Sequence, residues 1–334
     1  MRRVLPLMAI VVLAIVLVVS DHPFPPPSDP DRESRTAVVA LGDSTLSGEG
    51  AGSYEPGTNG EEGGNWCHRS TEASVMKARF EADERFNLAC SGANSDRLRT
   101  QQLPELRRIA GSHRVVALVV AVGANDDPKF ADILNTCVQA WGARSDCTAK
   151  VAPEWTKRVA KMVPKVENTL NAIRQTMRDS GYLDSSYQLV VQSYAAPVAP
   201  NVPKSLQNLS GCPLRTGDLE WVVEEGVPEL SNGLRVAAGK VNARFLDLAR
   251  AGEGHEACAG GSSPEEEWFT RLTLDWDGLK DDRRSAHAWQ ESFHPNARGH
   301  EQLANCLSEF LAADKRDGAC VPKLDGTLGL TTES

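Results

Sequence analysis

The sequence predicts a single doubly wound α/β domain with helices on both faces of a parallel sheet, and three observations carry that prediction. Short apolar runs of strand length alternate with longer stretches whose apolar residues recur three or four apart. One run, Val115 to Val122, contains only Val, Ala and Leu and so suits a central strand covered on both faces. Several runs end abruptly in Gly-bearing polar segments, and the carboxyl ends of strands are where open α/β sheets place their sites.

The chain has 334 residues, 41% hydrophobic and 24% charged, an ordinary globular composition with enough apolar side chains for a sizeable core. A net charge of -9 and the absence of a Lys/Arg cluster exclude nucleic acid as the main partner. At the N-terminus, Arg2 and Arg3 precede an uncharged stretch from Val4 to Ser20 broken only by Pro6. Residues 1–20 are therefore a targeting segment, either a signal peptide or a membrane anchor. Ser20 and Val18 suit a cleavage site, but no Ala-x-Ala is present, so both outcomes stay open. Residues 21–35, Pro-rich and without apolar periodicity, form a linker.

Elements follow in order from Thr36. An apolar strand runs into Gly42-Asp43-Ser44, and the Gly-rich stretch Gly48 to Gly64 then forms a surface loop near Ser44 that is expected to line the pocket together with the segment Trp268 to Trp289. A short helix is expected around Ala73 to Ala82 and a second strand at Phe86 to Cys90. Ser95 caps a helix to about Ala110, and the strand Val115 to Val122 ends in Gly123-Ala124-Asn125-Asp126-Asp127. From Trp155 to Asp179 apolar residues line one helical face, with Pro164 as a kink or the true start. Gln188 to Tyr194 and Ala243 to Leu248 are strands flanking a helix from Pro228 to Lys240, and Glu301 to Ala313 closes the domain. The irregular segment Gly252 to Gln290, with Trp268, Trp276 and Trp289, is either a lid or substrate wall or a surface excursion pinned by a disulfide. Residues 36–320 make the domain, and the tail 321–334 is expected to be disordered.

Eight cysteines, Cys67, Cys90, Cys137, Cys147, Cys212, Cys258, Cys306 and Cys320, fit an oxidising compartment. None forms Cys-x-x-Cys, so no metal site is expected. Roughly a hundred pairings exist for eight cysteines. Sequential pairing, which closes four local loops, is the first expectation.

The chemistry centres on Ser44. A serine hydroxyl needs a base to take its proton, most often histidine. His22 lies in the linker, His113, His255 and His287 sit in surface-like contexts, and His68 has no supporting pattern. His294 and His300 stand just before the last helix, and His294 has the carboxylate of Glu291 three residues earlier. Donors for an oxyanion would come from the Gly92 N–H and the Asn125 amide, both in loops directly after apolar runs.

Gly42-Asp43-Ser44, Gly92, Gly123-x-Asn125-Asp126 and His294, in that order, resemble the four blocks of the SGNH hydrolase superfamily, the GDSL lipases and esterases. The likeness spans about residues 36 to 313. Ser47-Gly48-Glu49-Gly50-Ala51, Cys67-His68-Arg69-Ser70 and Asn87 to Ala93 resemble its secreted, disulfide-bearing actinobacterial branch. The resemblance implies a three-layer α/β/α sandwich, flavodoxin-like, around a parallel sheet of about five strands. It also implies Ser44 as nucleophile, His294 as general base and acid, and an oxyanion hole of Ser44, Gly92 and Asn125. One position departs: the family usually has Asp three residues before the histidine, where this chain has Glu291. Either Glu291 is the triad acid or a backbone carbonyl near Ser292 orients the ring.

The expected function is an exported serine esterase or lipase that hydrolyses carboxylic esters through an acyl-Ser44 intermediate, as a monomer without cofactor or metal. Its substrate is a small-molecule, lipid or acylated-glycan ester. The alternatives are a cell-wall polysaccharide O-acetylesterase and a non-catalytic lipid- or glycan-binding surface protein on the same fold.

Overall fold

Seven strands build one sheet: Thr36–Gly42 (β1), Glu84–Asn87 (β2), Arg114–Ala121 (β3), Gln188–Gln192 (β4), Arg244–Asp247 (β5), Asp317–Pro322 (β6) and Leu328–Thr331 (β7). The computed structural model describes residues 35–60, 65–126, 129–274, 287 and 289–331. The targeting segment, the linker except Arg35, and Trp276 lie outside the described residues.

The spatial order is β2-β1-β3-β4-β5-β6-β7. Every neighbouring pair is parallel except β6 with β7. The all-apolar run became β3, a central strand beside β1, and both are buried along nearly their whole length. Because β1 lies between β2 and β3, the loops leaving all three converge at the carboxyl edge of the sheet.

Helices cover both faces. They are Ser44–Ser47 (α1), Ser74–Lys77 (α2), a helix built from Ser95–Arg97, a π turn at Leu98–Gln102 and Leu103–Ala110 (α3), and Phe130–Gly142 (α4). Thr148–Asp179 (α5) follows, then Thr216–Trp221 continued through a second π turn, Val222–Gly226, into Val227–Lys240 (α6), and finally Ala297–Ala312 (α7). On one side α5 packs against α3 and α6, while α7 packs against α2 and the β6–β7 hairpin. Of the apolar positions expected to face inward on α5, Val159, Met162, Val166, Leu170, Ile173 and Met177 are buried, whereas Val163 is only half-buried against the core.

Three expectations are corrected. The sheet has seven strands rather than about five, and its last strand is antiparallel. The tail expected to be disordered from residue 321 forms the end of β6 and all of β7, which Cys306–Cys320 fastens to α7 and Leu328 anchors in the core. Both strands are short, and Lys323 to Thr327 forms a tight turn through Asp325 and Gly326, so no sustained alternation marks them. Finally, α5 starts at Thr148 and passes through Pro153 and Pro164 without ending.

All eight cysteines are bridged, Cys67 to Cys90, Cys137 to Cys147, Cys212 to Cys258 and Cys306 to Cys320. No helix among the described residues is long and apolar enough to cross a membrane.

Candidate active site

Where β1 ends, Gly42 adopts φ +146, and a Cβ there would fall 1.9 Å from the Ala121 carbonyl oxygen, so only glycine fits against β3. Gln102 clamps this peptide from the π turn of α3, accepting from Gly42 N and donating to Gly42 O, both at 2.8 Å. Asp43 then caps α1 by accepting from Thr45 N at 3.2 Å, which leaves Ser44 as the first residue of a one-turn helix. A first-turn N–H has no carbonyl partner within its helix, so the Ser44 N–H is left unsatisfied by α1.

Asp43 itself is buried, and its second oxygen accepts from Tyr194 Oη at 2.6 Å. Burial pushes its carboxyl up to about 7 against the opposing hydrogen bonds from Tyr194 and Thr45. Tyr194 Oη in turn accepts from Ala124 N at 3.3 Å, so one phenol ties the β1 loop to the β3 loop.

The two other loops are tied to each other. Cys90 N donates to Gly42 O at 3.0 Å, and Cys67–Cys90 pins the segment that carries Gly92. Asn125 Nδ2 donates to Ala93 O at 3.2 Å, and Asp126 accepts from Ser95 Oγ at 2.6 Å. These bonds hold Gly92 and Asn125 on the wall of the same pocket as Ser44 and His294.

His294 comes from the loop before α7, held by Thr270: His294 N donates to Thr270 Oγ1 at 3.2 Å, and Thr270 N donates to His294 O at 2.9 Å. Its Nε2 lies 2.8 Å from Ser44 Oγ. Its Nδ1 lies 3.1 Å from the Ser292 carbonyl oxygen, which can only accept, so Nδ1 carries the proton and Nε2 presents its lone pair to the serine hydroxyl. Burial pushes the imidazole below its ordinary value, opposed by the Glu49 carboxylate, the Ser292 carbonyl and Glu291. A hydroxyl bonded to a neutral, oriented imidazole can lose its proton as it attacks an electrophile.

The structure thus brings Ser44, Gly92, Asn125 and His294 together, and turns Glu291 away from the imidazole nitrogens. Glu291 Oε1 accepts from Tyr54 Oη at 2.8 Å, while the backbone carbonyl takes the position beside Nδ1. His300 is buried behind the site with Nδ1 accepting from Ser74 N at 3.2 Å.

The pocket encloses about 510 Å³ and is walled by apolar groups including Leu134, Phe269 and Trp289. The segment Gly252 to Gln290 therefore contributes to its wall, as anticipated, through Phe269, His287, Trp289 and Gln290, together with Trp289's neighbours beyond it. The loop from Gly48 to Gly64 behaves differently. None of its described residues lines the pocket; instead Gly50 and Tyr54 pack behind the His294 loop.

Residues without a sequence signal also belong to the site. Tyr194 stands two residues beyond β4 with nothing to mark its phenol as a brace, and Glu49 and Gln290 join only through folding. Gln290 Nε2 donates to Glu49 Oε2 at 2.7 Å, and His68 Nδ1 donates to Glu49 Oε1 at 2.7 Å. Glu49, His68 and Glu291 bring candidate metal-ligand atoms within 4.8 Å of one another. Hydrogen bonds among His68, Gln290 and Tyr54 already engage both carboxylates.

A model of the GDSL-like Lipase/Acylhydrolase family matches residues 40–302. A lipase of Streptomyces rimosus is 28% identical over 288 residues, 81% of this chain and 85% of that protein. Lipase 1 of Streptomyces coelicolor is 29% identical over 267 residues, 78% of this chain and 81% of that protein. Among solved structures, an extracellular lipase from Streptomyces rimosus superposes with a TM-score of 0.54 at 24% identity, covering 79% of this chain and 94% of that one. A phospholipase A1 from Streptomyces albidoflavus gives the same TM-score and identity over 80% of this chain and 94% of that one. The two structures share the fold.

Proposed function

The chain belongs to the GDSL-like lipase/acylhydrolase family and is a carboxylic ester hydrolase, and we propose that it is exported and works through an acyl-Ser44 intermediate. The observation that carries the mechanism is the 2.8 Å contact between Ser44 Oγ and His294 Nε2, with Nδ1 held on a carbonyl. Ser44 Oγ attacks the ester carbonyl carbon while its proton passes to His294 Nε2. The C–O π electrons collect on the carbonyl oxygen, which the N–H groups of Ser44 and Gly92 and the amide of Asn125 receive. Collapse expels the alcohol with the proton returned by His294, and water, activated by the same imidazole, releases the acid. Export is supported by the four disulfides, which persist in oxidising compartments.

A fluorophosphonate probe tests the nucleophile. Wild-type protein should be labelled on the peptide carrying Ser44, and Ser44→Ala should take up no label while keeping its thermal transition. A folded wild type that resists the probe would refute the acyl-serine reading.

The apolar wall of the pocket supports an acyl chain longer than acetyl. Each buried methylene is worth about 0.8 kcal/mol. kcat/KM for p-nitrophenyl butyrate should therefore exceed that for the acetate by about tenfold. Equal values, or faster release of acetate from acetylated glycan, would instead favour the O-acetylesterase alternative.

A further inference from the structure

When His294 takes the serine proton it becomes a cation half-buried in the pocket wall, and the group on its Nδ1 is a neutral carbonyl rather than a carboxylate. An uncompensated buried charge is costly, so the position of the nearest buried anion matters. From the hydrogen-bonded frame around Ser44, we propose that Glu49 is a positioning residue whose buried carboxylate supplies the counter-charge for the His294 imidazolium. The inference rests on the acyl-serine reading above and deepens it.

The geometry begins with the backbone. Glu49 N donates to Ser44 O at 3.1 Å, so the turn that leaves α1 returns Glu49 to the residue carrying the hydroxyl. The next residue, Gly50, lies directly against the histidine: a Cβ built on it would be 3.1 Å from His294 Cβ and 3.0 Å from Pro295 O. Glu49 is thus bonded to Ser44 through the main chain and lies one residue from the backbone that packs on His294.

Its carboxylate is fully buried, yet each oxygen has a donor, His68 Nδ1 on Oε1 and Gln290 Nε2 on Oε2. Burial works to raise the carboxyl, but the His68 hydrogen bond and the nearby His294 and His68 imidazoles outweigh it and hold the group below its ordinary value. Glu49 therefore stays ionised. In the same way its charge favours the protonated form of His294.

Other groups around Glu49 do not replace it. Tyr54 is stacked on His68 and spends its hydroxyl on Glu291. The Glu291 carboxylate also acts on His294 through space, but it is bonded to Tyr54 and partly exposed, so solvent screens it more. His300, which burial pushes down to about 4, stays neutral and adds no competing positive charge. Ser91 contributes only a further hydrogen bond to Glu49. A glutamine at position 49 would preserve the shape and an acceptor for His68, so a purely structural role does not require the charge.

The experiment is the pH dependence of p-nitrophenyl butyrate hydrolysis by the full chain. Glu49→Gln removes the anion, which disfavours the imidazolium. The acidic limb of kcat/KM should move to lower pH by about one unit, and kcat should fall about tenfold with KM within about twofold. Glu49→Asp, which keeps the charge, should leave the acidic limb near its wild-type position. If Glu49→Gln does not fold, Glu49→Met combined with His68→Phe removes the pair together while keeping the stack on Tyr54, and its acidic limb should show the same displacement. A folded variant without the carboxylate but with a wild-type acidic limb would overturn the proposal. Retained activity in Ser44→Ala would instead locate the failure in the acyl-serine reading.

Discussion

Replacing His294 by alanine should lower kcat for p-nitrophenyl butyrate by on the order of 10⁶, with the fold retained. The loss follows from what the imidazole does in the proposed mechanism. It is the only base within hydrogen-bond distance of Ser44 Oγ among the described residues, and it must both take the proton and return it to the leaving alcohol. Ser44→Ala should cost about as much, because groups that act as a unit fail together. Glu291→Gln is the control that gives the result its meaning. Loss of a true triad acid can cost ~10⁴, whereas Glu291 here is bonded to Tyr54 Oη and the Ser292 carbonyl holds Nδ1. Activity within about tenfold of wild type is therefore expected for Glu291→Gln. Single-turnover acylation and circular dichroism on the same preparations separate chemistry from folding. A Glu291→Gln loss comparable to that of His294→Ala would mean that the carboxylate, not the carbonyl, orients the base.

That contrast also marks what could be learned before folding. Ser44, Gly92, Asn125 and His294 were legible because each follows a pattern with a physical cause: three end or follow apolar runs that become β1, β2 and β3, and the fourth precedes a helix start. The central strand was the easiest element, since only burial on both faces explains eight consecutive Val, Ala and Leu residues. The partner of Nδ1 left no such trace, because every residue has a carbonyl and no side chain at position 292 advertises its use. Glu49 was visible only as part of a Gly-rich block resembling the family's secreted branch, with no role marked for it, and its placement depends on a turn folding back onto Ser44. The C-terminal hairpin escaped because its strands are short and their stability comes from a disulfide and the packing of Leu328, both long-range facts. Helix α4 follows a strand end whose polar residues read as loop, and Lys129 at its N-cap makes no capping side-chain bond.

Asn125→Ala should lower kcat by about a hundred- to a thousandfold, or about 2.7–4 kcal/mol of transition-state stabilisation, with little change in KM. The argument starts from the amide's two hydrogens. One is spent on Ala93 O at 3.2 Å, which identifies the facing atom as nitrogen and fixes the plane of the side chain. The other remains for the pocket that Asn125 shares with Ser44 and Gly92. Since Ala93 follows Gly92 directly, the same bond that orients the amide also ties it to the loop that carries the Gly92 N–H, so these two proposed donors are linked before substrate arrives. Such alignment lowers the barrier because no reorganisation is needed as the oxyanion forms. A turn-forming role predicts something else: loss of one hydrogen bond worth about 1 kcal/mol, seen as a lower melting temperature with kcat unchanged. Measuring kcat, KM and thermal stability on the one variant therefore decides between them. An unaltered kcat in the face of a lowered melting point would remove Asn125 from the oxyanion hole and leave the Ser44 and Gly92 N–H groups to carry the charge.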